Sequence, residues 1–194
     1  MIHETVAKIF KERWQGEPII IRSPGRINII GEHTDYNDGF VMPAAIDKAV
    51  YMAIGSRTDD EVHLYAADFK ENYSCSIHDI KPLEHHGANY VLGVIDQLQL
   101  LGHKPGGFNA VIAADLPIGA GISSSAALEC ATAMALNELF ELKLEKLEMV
   151  KLAQKAEHRF AGVMCGIMDM FASVFGKKGR VIRASSPLPW FMCL

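Results

Sequence analysis

The sequence predicts an α+β domain: a mixed β-sheet packed with helices, with a glycine-rich loop at the N-terminus of one helix. Three observations carry that expectation. Short β-branched and apolar runs separated by turn residues crowd the first third of the chain, as strands do. Longer stretches at 89–101, 128–140, 147–162 and 165–175 read as helices. Between the two groups, the apolar run Phe108–Ala114 passes into LPIGAGISSSAAL, Leu116–Leu128, in the order strand, loop, helix.

In chain order, Val6, Ile9, Phe10 and Trp14 recur at helical spacing, so Thr5–Trp14 reads as an amphipathic entry helix. Pro18–Arg22 is a short strand, and Phe40–Asp47 and Lys48–Ser56 continue as strand-like segments. Val62–Ala67 and Tyr73–Ile77 are further strands about the turn residues Asp68–Asn72. Asn89–Leu101 is an amphipathic helix stopped by Gly102. Leu128–Phe140 continues the helix that follows the glycine-rich loop, Leu147–Gly162 carries Glu157, and Cys165–Phe175 carries Asp169 near its start.

Composition limits the function classes. A chain of 194 residues can bury a sizeable core. A net charge of −4 does not suggest a nucleic-acid surface. Met1–Trp14 has charges spread through it and no apolar centre, so it is not a signal peptide. No apolar run approaches the ~18 residues of a membrane helix. Cys75, Cys130, Cys165 and Cys193 lie far apart and fit no zinc spacing, which suits free thiols in a reducing cytoplasm. The adjacent pair His85-His86 reads as a solvated loop. The expectation is a cytoplasmic protein that works on small molecules, with neither nucleic acid nor membrane as partner.

Two stretches hold most of the chemistry. In the loop, the small residues Gly119, Ala120 and Gly121 let backbone N–H groups approach a ligand, with Ile122 and Ser123-Ser124-Ser125 leading into the helix. Free N–H groups and the positive end of the helix dipole make this an anion site. The competing reading is a small-residue cap packed on a sheet. A dinucleotide fold fits less well, although Glu138 and Glu141 lie roughly 20 residues on. Ser124 replaces its third glycine, Pro117 widens the turn, and no clear strand precedes either glutamate. The second stretch, Ser23–Gly39, sets Arg26, Asn28, Glu32, His33 and Asp35 among Ile27, Ile29 and Ile30. It is either an exposed charged turn or a pocket for a polyhydroxylated ligand, in which carboxylates accept from hydroxyls and Arg26 offers a cationic fork. Alternation puts Ile27 and Ile29 on one strand face and Arg26 and Asn28 on the other. Asp169, in an otherwise apolar segment, is either an N-cap or a working group in a pocket.

Three blocks together resemble the galactokinase branch of the GHMP small-molecule kinase superfamily: SPGRINIIGEHTDYNDGFVMPAAID (Ser23–Asp47), LPIGAGISSSAAL, and CGIMDMFAS (Cys165–Ser173). The resemblance covers Ile2 to about Arg183, and the GEHTDYN run is its most specific part. It implies the GHMP kinase N-terminal domain fold and Mg-ATP-dependent phosphorylation of D-galactose at its anomeric hydroxyl. It further implies Asp169 as the catalytic carboxylate and Arg26 as its transition-state partner. Glu32, His33, Thr34, Asp35 and Gly166 fall at the sugar. Ala66 and the run Gly119, Ala120, Gly121, Ile122, Ser123, Ser124 and Ser125 fall at ATP, and Ser125 and Glu157 at magnesium. The family enzyme is expected to be monomeric at full length.

The chain departs from the pattern twice. Met170 replaces the glutamine that follows the aspartate, and the run after Arg183, ASSPLPWFMCL, has no family character. Pro187 and Pro189 make that run a poor helix or strand. The expectation is a domain over 1–183, a non-family tail over 184–194 left by a frameshift or premature stop, and no C-terminal domain. A non-catalytic galactose/ATP-binding regulator, an inactive remnant and, more weakly, a nicotinamide-dependent enzyme are the alternatives.

Overall fold

Helix α1 (Ile2–Trp14) leads into strands β1 (Ile19–Asn28), β2 (Phe40–Val41), β3 (Pro43–Ser56), β4 (Glu61–Ala66) and β5 (Glu71–Ser76). Helix α2 (Asn89–Leu100), strand β6 (Phe108–Ala114) and helices α3 (Ser124–Phe140) and α4 (Lys146–Ala156) follow. A π turn over Glu157–Ala161, helix α5 (Met168–Phe175) and strands β7 (Ile182–Ser185) and β8 (Phe191–Cys193) complete the chain. The computed structural model describes residues 1–31, 34, 39–84, 86–117, 120–185 and 191–193.

The main sheet runs β1-β3-β6-β4-β5. Its β4–β6 pairing is parallel and its other pairings antiparallel, so the sheet is mixed, as expected. Alternation along the strands separates two apolar faces. Met52, Ile54, Val62, Leu64 and Phe108 meet residues of α2, α3 and α4. Ala53, Val111 and Ala113 meet Val6 and Phe10 of α1. The second sheet is small, in the order β2-β7-β8.

The differences from the sequence reading have local causes. Helix α1 starts three residues early because the Met1 carbonyl accepts from the N–H groups of Glu4 and Thr5. Strand β1 does not stop at Arg22. It runs to Asn28, paired with β3 throughout and irregular only between Pro24 and Arg26. Ile27, at 46%, and Ile29, at 54%, are the exposed residues here, while Arg26 turns toward α5. The two segments expected around Asp47 and Lys48 are one 14-residue strand. Helix α3 starts at Ser124, inside the serine run expected to lead into it. The boundary expected at Arg183 falls inside β7, whose Ile182 and Ala184 are buried with Val41 of β2. Residues 191–193 pair antiparallel with β7 and form a strand after all. Pro187 and Pro189 fall in 186–190, outside the described residues.

Gly25 fixes how the sheet meets the glycine-rich loop. A Cβ there would lie 2.5 Å from Leu116 Cδ2 and 2.7 Å from the Ile122 carbonyl oxygen, closer than carbon atoms approach without something shifting. Only a glycine lets β1 pass this close. The contact is completed by the Arg26 N–H, which donates to the Ile122 carbonyl at 3.2 Å.

Candidate active site

The residues at this crossing form a densely bonded polar group. Arg26 and Asp169 are 143 positions apart and meet side-on: Nε donates to Oδ1 and Nη2 to Oδ2, each at 2.7 Å. This bidentate geometry is the strong form of the pair. The pair is largely shielded, with side-chain exposures of 14% and 24%. Arg26 Nη1 donates to the Gly121 carbonyl at 2.6 Å, and Ser123 Oγ donates to Asp169 Oδ2 at 2.5 Å. Helix α5 is pinned to β1 by the Ser173 hydroxyl, which donates to the Pro24 carbonyl at 2.8 Å. Asp169 is the second residue of α5 and does not cap it, for the N-cap position is Ile167.

The bonding leaves specific capacity over. Three guanidinium N–H groups are committed in these contacts, out of the roughly five that arginine carries. Asp169 accepts three hydrogen bonds, out of about four that a carboxylate can take. Among the described residues, one acceptor direction on Oδ1 and two N–H groups on Arg26 therefore stay uncommitted.

The loop holds its shape by unusual backbone. Gly121 has φ +68° and Ser123 has φ +60°, the left-handed region that non-glycine residues occupy at a cost of about 1–3 kcal/mol. Ser123 is also the N-cap position of α3. Beyond it, Ser124 and Ser125 stand on the wall of a cavity of about 620 Å³. Otherwise that cavity is walled mainly by apolar groups, among them Ala66, Phe69, Ile112 and Leu128, with Asp68 and Tyr90 as polar exceptions. An apolar chamber ending at a helix N-terminus suits a molecule with a flat apolar body and an anionic tail, and its volume is in the usual range for ligand sites.

Glu157 opens the π turn and is buried. The Cys165 thiol donates to its Oε2 at 3.1 Å. Burial pushes the Cys165 thiol well up, and the carboxylates of Glu157, Glu129 and Asp169 push it further. Glu129, on α3, is wholly buried and neither carboxylate oxygen has a hydrogen-bond partner. Burial and then the charge of Glu157 push its carboxyl up to about 10. Tyr90 is raised by burial and by the same two acids. A hard divalent cation prefers oxygen ligands and keeps several waters, so a serine hydroxyl and a buried carboxylate lacking a cationic partner are a fitting protein share. Among the described residues, no group of three or more His, Cys, Asp or Glu is arranged to hold a metal by itself.

The structure brings Arg26, Asp169, Gly121 and Ser123 into one bonded group, with Ala66, Ser124 and Ser125 on the adjoining cavity. The Thr34 hydroxyl lies within 2.8 Å of the Gly31 and Phe40 carbonyls, bracing its own turn. Gly166 is half-buried just before α5, after Cys165, whose carbonyl bonds Gln154 and His158. Met170 is wholly buried among Val41, Ala126 and Cys130 and does not face the open site. Glu32, His33, Asp35 and Gly119 lie outside the described residues. Sequence reasoning missed Glu129, Tyr90 and Asp68. A glutamate inside LECATAMAL was the available signal for the first of them.

Comparison with known proteins agrees along the chain. The family model for the GHMP kinases N terminal domain matches residues 89–177, and that for the galactokinase galactose-binding signature matches residues 8–56. A galactokinase of Roseiflexus sp. (strain RS-1) is 48% identical over 164 residues, covering 84% of this chain and 42% of that protein. One of Thermococcus kodakarensis is 44% identical over 162 residues, covering 84% and 45%. The crystal structure of Lactococcus lactis galactokinase complexed with galactose superposes with a TM-score of 0.96 at 34% identity, over 100% of this chain and 52% of that one. The Methanococcus jannaschii mevalonate kinase shares the fold, with a TM-score of 0.78 at 23% identity over 93% of this chain and 56% of that one. The chain spans about half the length of the relatives it matches.

Proposed function

From a chain that belongs to the GHMP kinases, in their galactokinase branch, we propose an activity: transfer of the γ-phosphoryl group of ATP to the anomeric hydroxyl of D-galactose. The observation that carries the proposal is the Arg26–Asp169 pair held against the phosphate-loop helix. Asp169 uses its open Oδ1 direction to orient the sugar hydroxyl and accept its proton. Arg26 keeps that carboxylate in place and turns its uncommitted N–H groups toward the transferring phosphoryl, where negative charge is spread. Ser123 fixes the other carboxylate oxygen and ties the aspartate to the loop.

The N–H groups of the first turn of α3, with Gly119 to Ser125, would hold the phosphates, and the cavity past Ala66 would take the nucleoside. Ser125 and Glu157 would hold Mg²⁺, which when bound neutralises phosphate charge. Glu32, His33 and Asp35 would bind the sugar hydroxyls, with Gly166 beside the ring and Thr34 keeping the turn in shape. The relatives' greater length favours a cleft completed by a second domain, so the activity is assigned to the whole protein. The free thiols of Cys75, Cys130 and Cys165 suit a reducing cytoplasm, and no helix among the described residues is long and apolar enough to cross a membrane.

The deciding experiment is ADP release from ATP with galactose, repeated in Glu32→Ala. The expected result is turnover in the wild type and a galactose KM raised at least about tenfold in the variant, with the ATP KM little changed, because removing a hydrogen-bonding partner of a charged group costs roughly 1.5–3 kcal/mol. Equal effects on both constants would remove Glu32 from the sugar site. Binding of both ligands without ADP release would replace the enzyme reading by that of a regulator.

A further inference from the structure

Resting on the kinase reading above, we propose that Glu129 is an outer-sphere positioning residue for the divalent cation of this site. It accepts hydrogen bonds from cation-bound water and thereby fixes the hydration shell that Ser125 and Glu157 leave unheld.

The argument begins with cost. Glu129 is wholly buried, and both its oxygens lack a partner. A buried carboxylate without a hydrogen bond or a counter-charge is among the most expensive groups a fold can keep, and such exceptions in native proteins call for an ion or water outside the chain. None of the ion pairs among the described residues includes Glu129 or Glu157. The neighbours along α3 do not explain the choice either: Ala127, Cys130 and Ala131 are small, buried and uncharged.

Position supplies the rest. Glu129 follows Ser125 by four residues, so the two lie on one face of α3 about one turn apart. Ser125 lines the cavity, while Glu129 is wholly buried and close enough to Glu157 to feel its charge. Magnesium keeps several waters and dehydrates reluctantly, so a site with few protein ligands needs acceptors for those waters. A carboxylate one turn behind the serine ligand meets that need. Groups that hold a metal's ligands and waters in this way typically change its affinity 10–100-fold when removed.

The test is Mn²⁺ binding by the whole protein in the presence of ADP, read from the free-ion paramagnetic resonance signal. Wild type is compared with Glu129→Gln and Glu129→Leu, and ADP affinity without metal and the metal-free melting midpoint are measured alongside. The expected result is a Mn²⁺ dissociation constant raised about 10–100-fold in Glu129→Leu and by a smaller factor in Glu129→Gln, which keeps one acceptor oxygen. Metal-free ADP affinity should stay unchanged and the metal-free midpoint should not fall. Wild-type Mn²⁺ affinity in a folded Glu129→Leu would overturn the proposal, and if that variant does not fold, wild-type affinity in Glu129→Gln would do so. Loss of metal-free ADP affinity in step with Mn²⁺ affinity would also overturn it, by showing a structural role. A wild-type protein that binds no Mn²⁺ with ADP would sink the kinase reading along with the inference, whereas the other outcomes bear on Glu129 alone.

Discussion

Two acidic centres meet helix α3, and the fold treats them in opposite ways. Asp169 is compensated within the chain: a bidentate guanidinium and a serine hydroxyl leave it one open direction. Glu129 and Glu157 are buried with no cationic partner, and a single thiol donates to one of them. The first centre is bonded within the chain except in that one direction. The second keeps two carboxyl oxygens with no partner among the described residues. Where a protein buries an acid without a partner, what completes it comes from outside, because a buried polar group left unpaired is tolerated only when something offsets its cost.

Removing the carboxyl group at each centre should therefore move stability in opposite directions. The largest effect is expected from Asp169→Asn. Turnover should fall about 10²–10⁴-fold, the usual scale for loss of a positioned proton acceptor. The same change strands Arg26, and a lost charge-assisted contact at a shielded site costs about 1–2 kcal/mol, read as a drop of a few degrees in melting midpoint for a chain of this size. Wild-type turnover, measured by ADP release, would reduce the pair to a structural tie and erase the contrast.

Gly25→Ala probes the element that builds the compensated centre. The added methyl meets the Ile122 carbonyl at 2.7 Å, and main chain cannot swing aside as a side-chain end can. The expected cost is about 1–3 kcal/mol by denaturant titration, with the ATP KM raised more than the galactose KM because the displaced segment is the phosphate loop. Unchanged stability and unchanged ATP KM would mean that Arg26 reaches Asp169 without help from this crossing.

How much of this could be read in advance follows the same division. Strand β6 and helix α2 were legible because each is a long, uniform pattern bounded by clear stops. The strand–loop–helix order at Leu116–Leu128 was legible because a run of small residues and serines separates two apolar patterns. Arg26 and Asp169 were each suspected as charges in apolar company, but their meeting across 143 positions is a property of β1 running on past Arg22 and of α5 lying on it. The strand's length was hidden because Pro24 and Gly25 read as turn residues, and Gly25 proved to be a contact residue instead. The pairing of 191–193 was hidden by the prolines before it. Glu129 escaped because a single acid in a helix is ordinarily solvated, and only the small and apolar run LECATAMAL around it marks that it is covered.

A change at Glu129 sharpens the contrast most, since it isolates the second centre by its sign. The Glu129 carboxyl sits at about 10 in the fold against an ordinary 4.5. Between those values the unfolded chain gives up the proton while the folded chain keeps it, so this group makes stability fall as pH rises. Below about pH 4 both forms are protonated and the contribution is constant. Glu129→Leu deletes the group, so variant and wild type should lie closest near pH 4, with the variant gaining steadily toward about pH 8. Melting midpoints in chelator measure this, at about 2–4 °C per kcal/mol. Adding Mg²⁺ and ADP should close the gap by stabilising the wild type more than the variant. A difference that stays flat from pH 4 to 8 in chelator would mean that water already satisfies Glu129 as well as any ligand could, and the two acidic centres would then differ in partner but not in kind.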